Sequence, residues 1–267
     1  VFGTTHASSG LAVLIAVLAL LFVAAVYTWA SWYTLHQKRR MQNALGLVVD
    51  RIRKFLLHYE HSKQHYGHSD ITPYFWVNGR PPIGHEFEQL RRDHFRAWRL
   101  SITGKIAHPL DLSLDDLQQM PKQVQITKHN CIQGWSGVAE WAGVPLSRVL
   151  DRCQPDPDAR YLVFTSYQHG QQSYPEGSEE SQQRPFYEVI DLELARHPQT
   201  ILAYEMNGRP LPLEHGAPLR LRVETQLGYK MVKYLRSMEL VSDYHTVWDG
   251  HGGFREDIQF YGRTAEI

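Results

Sequence analysis

The sequence has little cysteine and no net charge, and each shortage excludes a class of protein. Its 267 residues include two cysteines, too few for the disulfide framework of a small secreted domain. Lysine plus arginine and aspartate plus glutamate number 28 each, so no electrostatic argument favours a nucleic acid partner. A chain of this length can bury a sizeable core in one or two domains.

Charged residues are also absent from residues 11–30, which read LAVLIAVLALLFVAAVYTWA. Twenty apolar residues in a helix are long enough to cross the core of a bilayer. Tyrosines and tryptophans cluster at the C-terminal end of this run, as they do at membrane interfaces. A signal peptide would need a basic region before the apolar run, and none is present. We therefore expect residues 11–33 to form a single transmembrane anchor after a short N-terminal flank, residues 1–10.

The segment after the anchor is basic and rich in histidine. Residues 38–40 are Lys-Arg-Arg, and the positive-inside rule places the C-terminal side of the anchor on the cytoplasmic or matrix-like side. Helical spacing of apolar residues predicts a linker helix within residues 34–70. Four histidines there are spaced by three, four and three residues: His58, His61, His65 and His68. On one helix they would share a face, as metal ligands could, but the polar context without carboxylate or cysteine partners favours a solvated face.

One cysteine stands in a segment with a chemical pattern, KHNCIQGWSG at residues 128–137. Residues 123–127 alternate as a half-buried strand does, and the Gly-Trp-Ser-Gly turn ends that strand and is expected to lead into a short helical segment. Cys131 at this junction can project into a cleft as a metal ligand or a nucleophile, although a lone cysteine is more often a packing residue. The neighbouring Lys128 and His129 would favour its thiolate.

The string CIQGWS that begins at Cys131, with WAGVPL from Trp141 onward, resembles the molybdenum-ligand segment of the sulfite oxidase family. The closer resemblance is to its bacterial branch, which includes the catalytic subunit of methionine-sulfoxide reductase. The resemblance implies an α+β, sulfite-oxidase-type molybdopterin-binding fold with mixed sheets over residues 71–267. It also implies that Cys131 binds molybdenum held by molybdopterin, for which a thiolate is a suitable soft ligand. Cys153 is then expected to be an inert packing residue.

A second pattern occupies residues 201–241, which read as strands separated by Asn-Gly, proline-rich and glycine turns. Arg220 and Arg222 alternate with apolar residues and so share one strand face, and Lys230 and Lys233 follow. Charge alone favours a solvated basic face, although basic groups near a glycine-rich turn also suit a phosphate. The stretch is similar to the pterin-binding segment of the family, which implies that Arg220 and Lys233 hold the pterin phosphate.

The resemblance implies further pocket residues on other segments. The implied cofactor-binding positions are Phe75, Asn78, Cys131, Ser166, His215, Arg220, Met231, Val232 and Lys233, and the candidate catalytic positions are Cys131, Arg184 and Tyr187. Ser166 fits a strand-end serine in a turn nearly as well. Arg184 and Tyr187 border a polar loop, residues 169–184, where the family places its substrate mouth. Phe186 aligns as well as Tyr187 with the pocket tyrosine of sulfite oxidases.

The leading functional hypothesis is a membrane-anchored, molybdopterin-dependent oxidoreductase that transfers an oxygen atom on a small or side-chain S- or N-oxide. The apolar run has no histidine to ligate a haem, so electrons would come from a separate haem-b or quinone-linked membrane partner. Gln133 stands where bacterial relatives have glutamate, and the basic cluster of sulfite oxidases is missing here, which argues against sulfite. Several relatives work in the periplasm, in conflict with the positive-inside rule.

Two other hypotheses stay open. The chain could be an accessory subunit of a larger membrane complex that keeps the molybdopterin fold with little or no catalysis. More weakly, Cys131 could be the nucleophile of a hydrolase. That hypothesis lacks a general base, because His129 is too close along the strand and is expected on its other face.

Overall fold

The computed structural model describes residues 15–33, 66–169, 184–258, 262–265 and 267. Two compact units are present, Val1–His61 and Ser62–Ile267. In the first unit, helix α1 (Ile15–Tyr33) is long and apolar enough to cross a membrane, with a mean hydropathy of 2.0. Trp29 and Tyr33 stack at its C-terminal end, with ring centroids 5.6 Å apart. The expected anchor is therefore helical wherever the structure describes it.

Most of the predicted linker helix, including His58, His61 and His65, lies outside the described residues, and so does most of the polar loop before Arg184. The described end of the linker contains a 3₁₀ turn, His68–Asp70. Within the described ranges, no group of three or more histidine, cysteine and carboxylate side chains is placed to hold a metal ion.

The second unit is built on two sheets. Its strands are β1 Leu100–Gly104, β2 Leu110–Leu112, β3 Gln123–Asn130, β4 Ser136–Pro145, β5 Tyr161–His169, β6 Pro185–Asp191, β7 Ile201–Met206, β8 Arg209–Pro210, β9 Arg220–Arg222 and β10 Leu235–Val241. The first sheet has the order β2-β1-β10-β5-β6, and the second has the order β3-β4-β7-β8 with β9 also paired to β7. The pair β1 and β10 is parallel and its neighbours are antiparallel, so this is the mixed sheet that was expected.

Short helices join and cover the strands of both sheets. They are α2 His85–Arg92, α3 Leu114–Gln118, α4 Leu146–Cys153, α5 Leu192–Ala195 and α6 Phe254–Ile258. Helix α3 begins with a capping box: the Asp116 N–H donates to Ser113 Oγ over 3.1 Å, and the Ser113 N–H donates to the Asp116 carboxylate over 2.9 Å. Cys153 is fully buried at the end of α4, as expected of a packing residue.

The prediction of a helical segment after the Gly-Trp-Ser-Gly turn is wrong, because strand β4 occupies that place. Strand β4 pairs with β3 on one side and with β7 on the other. Most of its side chains are buried, including Ala139 and Trp141, so both of its faces are covered. A strand covered on both faces loses the alternation of polar and apolar residues that identifies a strand in a sequence.

Candidate functional site

A cleft opens where strand β3 ends. It contains about 770 Å³ of empty space, part of it open to solvent. Seven of the nine expected cofactor-binding residues line it: Phe75, Asn78, Cys131, His215, Arg220, Met231 and Lys233. Residues more than 150 positions apart in the sequence are thus brought to one surface.

The other two expected residues lie behind the cleft wall. The Ser166 hydroxyl donates to the backbone oxygen of Lys233 over 2.7 Å and accepts the N–H of Gln168 over 2.9 Å. Ser166 therefore fixes two residues that do line the cleft. Val232 packs its side chain into the main hydrophobic core.

The structure does not bring Arg184 and Tyr187 into the cleft. Tyr187 is buried in the core, where its hydroxyl donates to Asp257, and burial together with that carboxylate raises the pKa of Tyr187 far above its usual value. Arg184 forms an ion pair with Asp249 over 2.7 Å. Successive residues of a strand point to opposite faces, so Phe186 lines the cleft in place of Tyr187.

Cys131 opens a tight turn directly after β3. Its N–H donates to the Trp135 carbonyl over 2.9 Å, and its own carbonyl accepts the N–H of Gly134, which has a φ of 89°. The sulfur accepts the side-chain N–H of Asn78 over 2.8 Å and the backbone N–H of Gln133 over 3.4 Å. Two N–H donors directed at sulfur stabilise the negative charge of a thiolate, the form that binds metals.

The segment that carries Asn78 is clamped by the rest of the fold. The Thr72 N–H and hydroxyl both donate to one carbonyl of β4 over 3.0 Å. Lys233 Nζ donates to the Asn78 carbonyl over 2.6 Å, and Gln168 Nε2 donates to the Arg80 carbonyl over 2.7 Å. The position of the amide that contacts the Cys131 sulfur is thus fixed from both sheets.

The lining of the cleft also carries basic side chains, of which Arg220 is buried. The Arg220 guanidinium donates to the His215 carbonyl over 2.8 Å and lies 4.8 Å from the ring centroid of Trp141. Its Nε finds no hydrogen-bond partner among the described residues. Burial, with the nearby Arg222, lowers the pKa of Arg220 to about 9. The solvated basic face that charge alone favoured is therefore wrong, because the pairing of β9 with β7 buries both arginines.

Two further basic groups of the cleft are also disfavoured in their charged forms. Burial, with the charge of Arg220, lowers the pKa of Lys233 to about 7 and that of His215 to about 4. Among the described residues that line the cleft there is no aspartate or glutamate. Buried cations without a counter-charge are unstable, so this wall is suited to an anionic ligand.

His129, near the end of strand β3, lines the same cleft as Cys131 in the turn that follows. The expected placement on the other face is therefore wrong. Burial, and then the charge of Arg222, lowers the pKa of His129 well below its usual value. Arg222 Nη1 donates to His129 Nδ1 over 3.1 Å. A neutral ring is not the cation that was expected beside the Cys131 sulfur.

Lys230 does not join the cations of the cleft. Its ammonium group is buried between Glu188 and Glu256, at 2.6 and 2.7 Å. The residues on either side of it do line the cleft: Gly228, Tyr229 and Met231. This buried ion triad therefore fixes the segment that forms the floor of the cleft, and the basic pattern of the sequence did not distinguish it from Lys233.

Arg255, Tyr229 and Gly228 also line the cleft, although none of them was among the expected positions. Arg255 comes from helix α6 near the C-terminus and lies 6.0 Å from the centroid of the Tyr229 ring. A Cβ at Gly228 would overlap the ring of His129. Tyr229 and Gly228 stand in the stretch that resembles the pterin-binding segment, which is the one signal the sequence offered for them.

Residues 88–248 match the family model described as "Oxidoreductase molybdopterin binding domain". Over 170 residues the chain is 31% identical to a "Putative protein-methionine-sulfoxide reductase subunit YedZ1" from Azospira oryzae, covering 64% of this chain and 56% of that protein. Over 153 residues it is 37% identical to the "Protein-methionine-sulfoxide reductase catalytic subunit MsrP" of Xanthomonas campestris, covering 57% and 47%.

Among solved structures, the sulfane dehydrogenase SoxCD from Paracoccus pantotrophus matches with a TM-score of 0.46 and 25% identity, covering 55% of this chain and 39% of that chain. The chain spans about half the length of the curated relatives it matches.

Proposed function

The chain belongs to the oxidoreductase molybdopterin-binding domain family, and on that premise we propose that it is a membrane-anchored reductase of sulfoxides. The family and the cofactor predicted from the Cys131 segment are confirmed, and so is the α+β fold class with mixed sheets. One observation carries the proposal for the site. The Cys131 sulfur, with two N–H donors, lies in the same cleft as the buried Arg220 and the half-buried Lys233.

The side chains of the cleft fit molybdopterin at both of its ends. A phosphate carries close to two negative charges at neutral pH, and the buried Arg220 and half-buried Lys233 have no carboxylate beside them among the described lining residues. The unpartnered Nε of Arg220 is a further donor for such a group. At the other end, the Cys131 thiolate is the soft ligand that the metal requires.

The cofactor supplies two-electron oxygen-atom transfer, and the chain supplies its placement and the surrounding charges. Reduction of a sulfoxide to a sulfide takes two electrons and two protons and releases one water. Gln133 cannot provide a proton, because an amide does not titrate. Since the described lining holds no carboxylate, we assign proton delivery to water that enters the cleft.

The membrane and the electron donor form the rest of the proposal. Helix α1 supports a single-pass anchor by its length and composition. No residue of Ile15–Tyr33 is a histidine, so a separate haem-b or quinone-linked membrane protein would deliver the electrons. The basic residues after α1 support a cytoplasmic or matrix-like location of the domain. One relative is a catalytic subunit, and a catalytic subunit works with another subunit, which supports a partner protein for this chain.

The test uses the full chain in detergent with a reduced viologen dye as electron donor. We expect dye oxidation with a peptide that contains methionine sulfoxide, and none without an acceptor. A variant with Cys153→Ser, a change of the cysteine outside the cleft, is expected to keep this activity. If protein loaded with molybdenum and pterin failed to oxidise the dye with every sulfoxide and N-oxide supplied, the result would contradict the proposal and favour the accessory-subunit hypothesis. Turnover of sulfite alone, with an oxidised acceptor, would reverse the direction of oxygen transfer.

The affinity for molybdopterin should fall as the pH rises above about 7. Burial, with Arg220, lowers the pKa of Lys233 to about 7, and a bound phosphate would raise it again by favouring the ammonium form. Binding then takes up a proton above pH 7, and the affinity falls by up to about tenfold per pH unit until the bound-state pKa is reached. Cofactor release followed by pterin fluorescence between pH 6 and 9 measures this. Lys233→Met is expected to bind more weakly with a flatter profile, and an equally steep profile in that variant would assign the proton to another group.

A further inference from the structure

We propose that His129 is a further cofactor-binding residue, whose Nε2–H donates a hydrogen bond to an acceptor atom of molybdopterin. The inference rests on the proposed function, because it requires that the cleft holds this cofactor. The family resemblance implied other residues for this role, and His129 enters only through its surroundings in the structure.

The proton of the His129 ring is placed by its neighbour. A guanidinium group has donors and no acceptor, so the 3.1 Å contact between Arg222 Nη1 and His129 Nδ1 requires that Nδ1 accepts. The proton of the ring must therefore be on Nε2. Arg222 is itself fixed, because Nε and Nη2 donate to the two carboxylate oxygens of Glu224 over 2.9 and 2.6 Å.

The ring is also held in place by aromatic contacts on two sides. Its centroid lies 5.3 Å from that of Trp135 and 5.5 Å from that of Phe75. The Cε1–Nε2 edge packs against Gly228, where any larger residue would overlap the ring. All three neighbours line the cleft together with His129. The donor is thus rigid before a ligand arrives, which lowers the entropy lost on binding.

The Nε2–H group is available to a ligand in the cleft. His129 is 4% exposed, and among the described residues Nε2 makes no hydrogen bond, the contact with Arg222 being made through Nδ1. Nε2 is not one of the fully buried side-chain atoms that lack a partner, so water can reach it from the cleft. His129 stands two residues before Cys131 and lines the same cleft, so an acceptor atom of the molybdenum cofactor can take the place of that water.

The experiment compares holoprotein with His129→Phe and His129→Gln, each as the full chain in detergent. Phenylalanine keeps a ring between the two aromatic neighbours and removes the N–H, whereas glutamine keeps a donor. We expect pterin release to be roughly five- to tenfold faster in His129→Phe. Release from His129→Gln should lie closer to that of the wild type. Equal release rates in His129→Phe and the wild type, with similar thermal unfolding of the cofactor-free proteins, would overturn the proposal.

A second measurement does not depend on release or on the folding of a variant. In protein labelled with ¹⁵N-histidine, NMR should show a proton on Nε2 and none on Nδ1 of His129. The Nε2–H signal is expected to shift when molybdopterin is present. A proton on Nδ1, or a signal that does not respond to the cofactor, would overturn the inference alone. Wild-type protein that holds no molybdopterin would instead overturn the proposed function, and this inference with it.

Discussion

Replacing Cys131 by alanine is expected to leave the protein folded, without bound molybdenum and without sulfoxide reduction. Among the described side chains of the cleft, the thiol alone combines a soft metal ligand with two N–H donors that stabilise its charge, from Asn78 and Gln133. Because the redox chemistry belongs to the metal centre, the loss of rate should exceed the roughly 100-fold that removal of an outer-sphere partner can cost. Metal content by mass spectrometry and viologen oxidation are the two measurements.

Two further variants separate the ligand from its surroundings. Asn78→Leu removes one donor to the sulfur and should lower metal affinity or rate by about 10- to 100-fold, the range for outer-sphere partners. Cys153→Ala changes a buried thiol in helix α4 and should keep both metal and rate. Full molybdenum and full activity in Cys131→Ala would remove Cys131 from the metal site and with it the central assignment.

The site was predictable from the sequence to the extent that its residues stand in two local strings. The string around Cys131 and the string that contains Arg220 and Lys233 each resemble a family segment, and the structure brings both to one cleft. Arg255 was missed because it stands far along the chain from both strings, and no periodicity records its contact with Tyr229. Local patterns find residues, whereas tertiary packing decides which of them meet.

The errors concern the faces of strands and the burial of charges. Assigning the pocket position to Tyr187 was wrong by one residue on β6. Phe186 lines the cleft and Tyr187 lies in the core, because strand residues alternate between faces. Arg220 and Arg222 carry the same charge pattern whether β9 lies at the surface or against β7. Only the pairing of β9 with β7 determines that both arginines are buried against Trp141.

The ion triad below the cleft was also indistinguishable from a surface pattern. Lys230 contacts Glu188 and Glu256, which stand in β6 and α6, so the triad joins three segments that are distant in the sequence. Burial, then Glu256, raises the pKa of Glu188 well above its usual value, while Lys230 acts in the opposite direction. The triad therefore connects the stability of the fold with the position of the cleft floor.

Lys230→Met is expected to lower the free energy of unfolding by about 3–5 kcal/mol, because it leaves buried carboxylates without their cation. The matched control is Lys105→Met. It breaks an ion pair with Asp158 in which both side chains are about half exposed and screened by solvent, so it should cost far less. Urea unfolding of the two variants at pH 8 measures the difference. Equal costs would show that the buried triad contributes no more than a surface pair.

The pH dependence of Lys230→Met gives a sharper test of the cause. Without the lysine, the pKa of Glu188 should rise further above its unfolded value, since burial and Glu256 both act in that direction. A carboxyl whose pKa is raised by folding loses stability as the pH rises above its unfolded pKa, because the folded state then binds more protons. The loss in the free energy of unfolding caused by Lys230→Met should therefore be small near pH 4 and grow towards pH 8. A loss independent of pH would point to lost packing of the lysine side chain.

Because Tyr229 and Met231 flank Lys230, the same variant should also release pterin faster at pH 8 than at pH 5 when each rate is divided by that of the wild type.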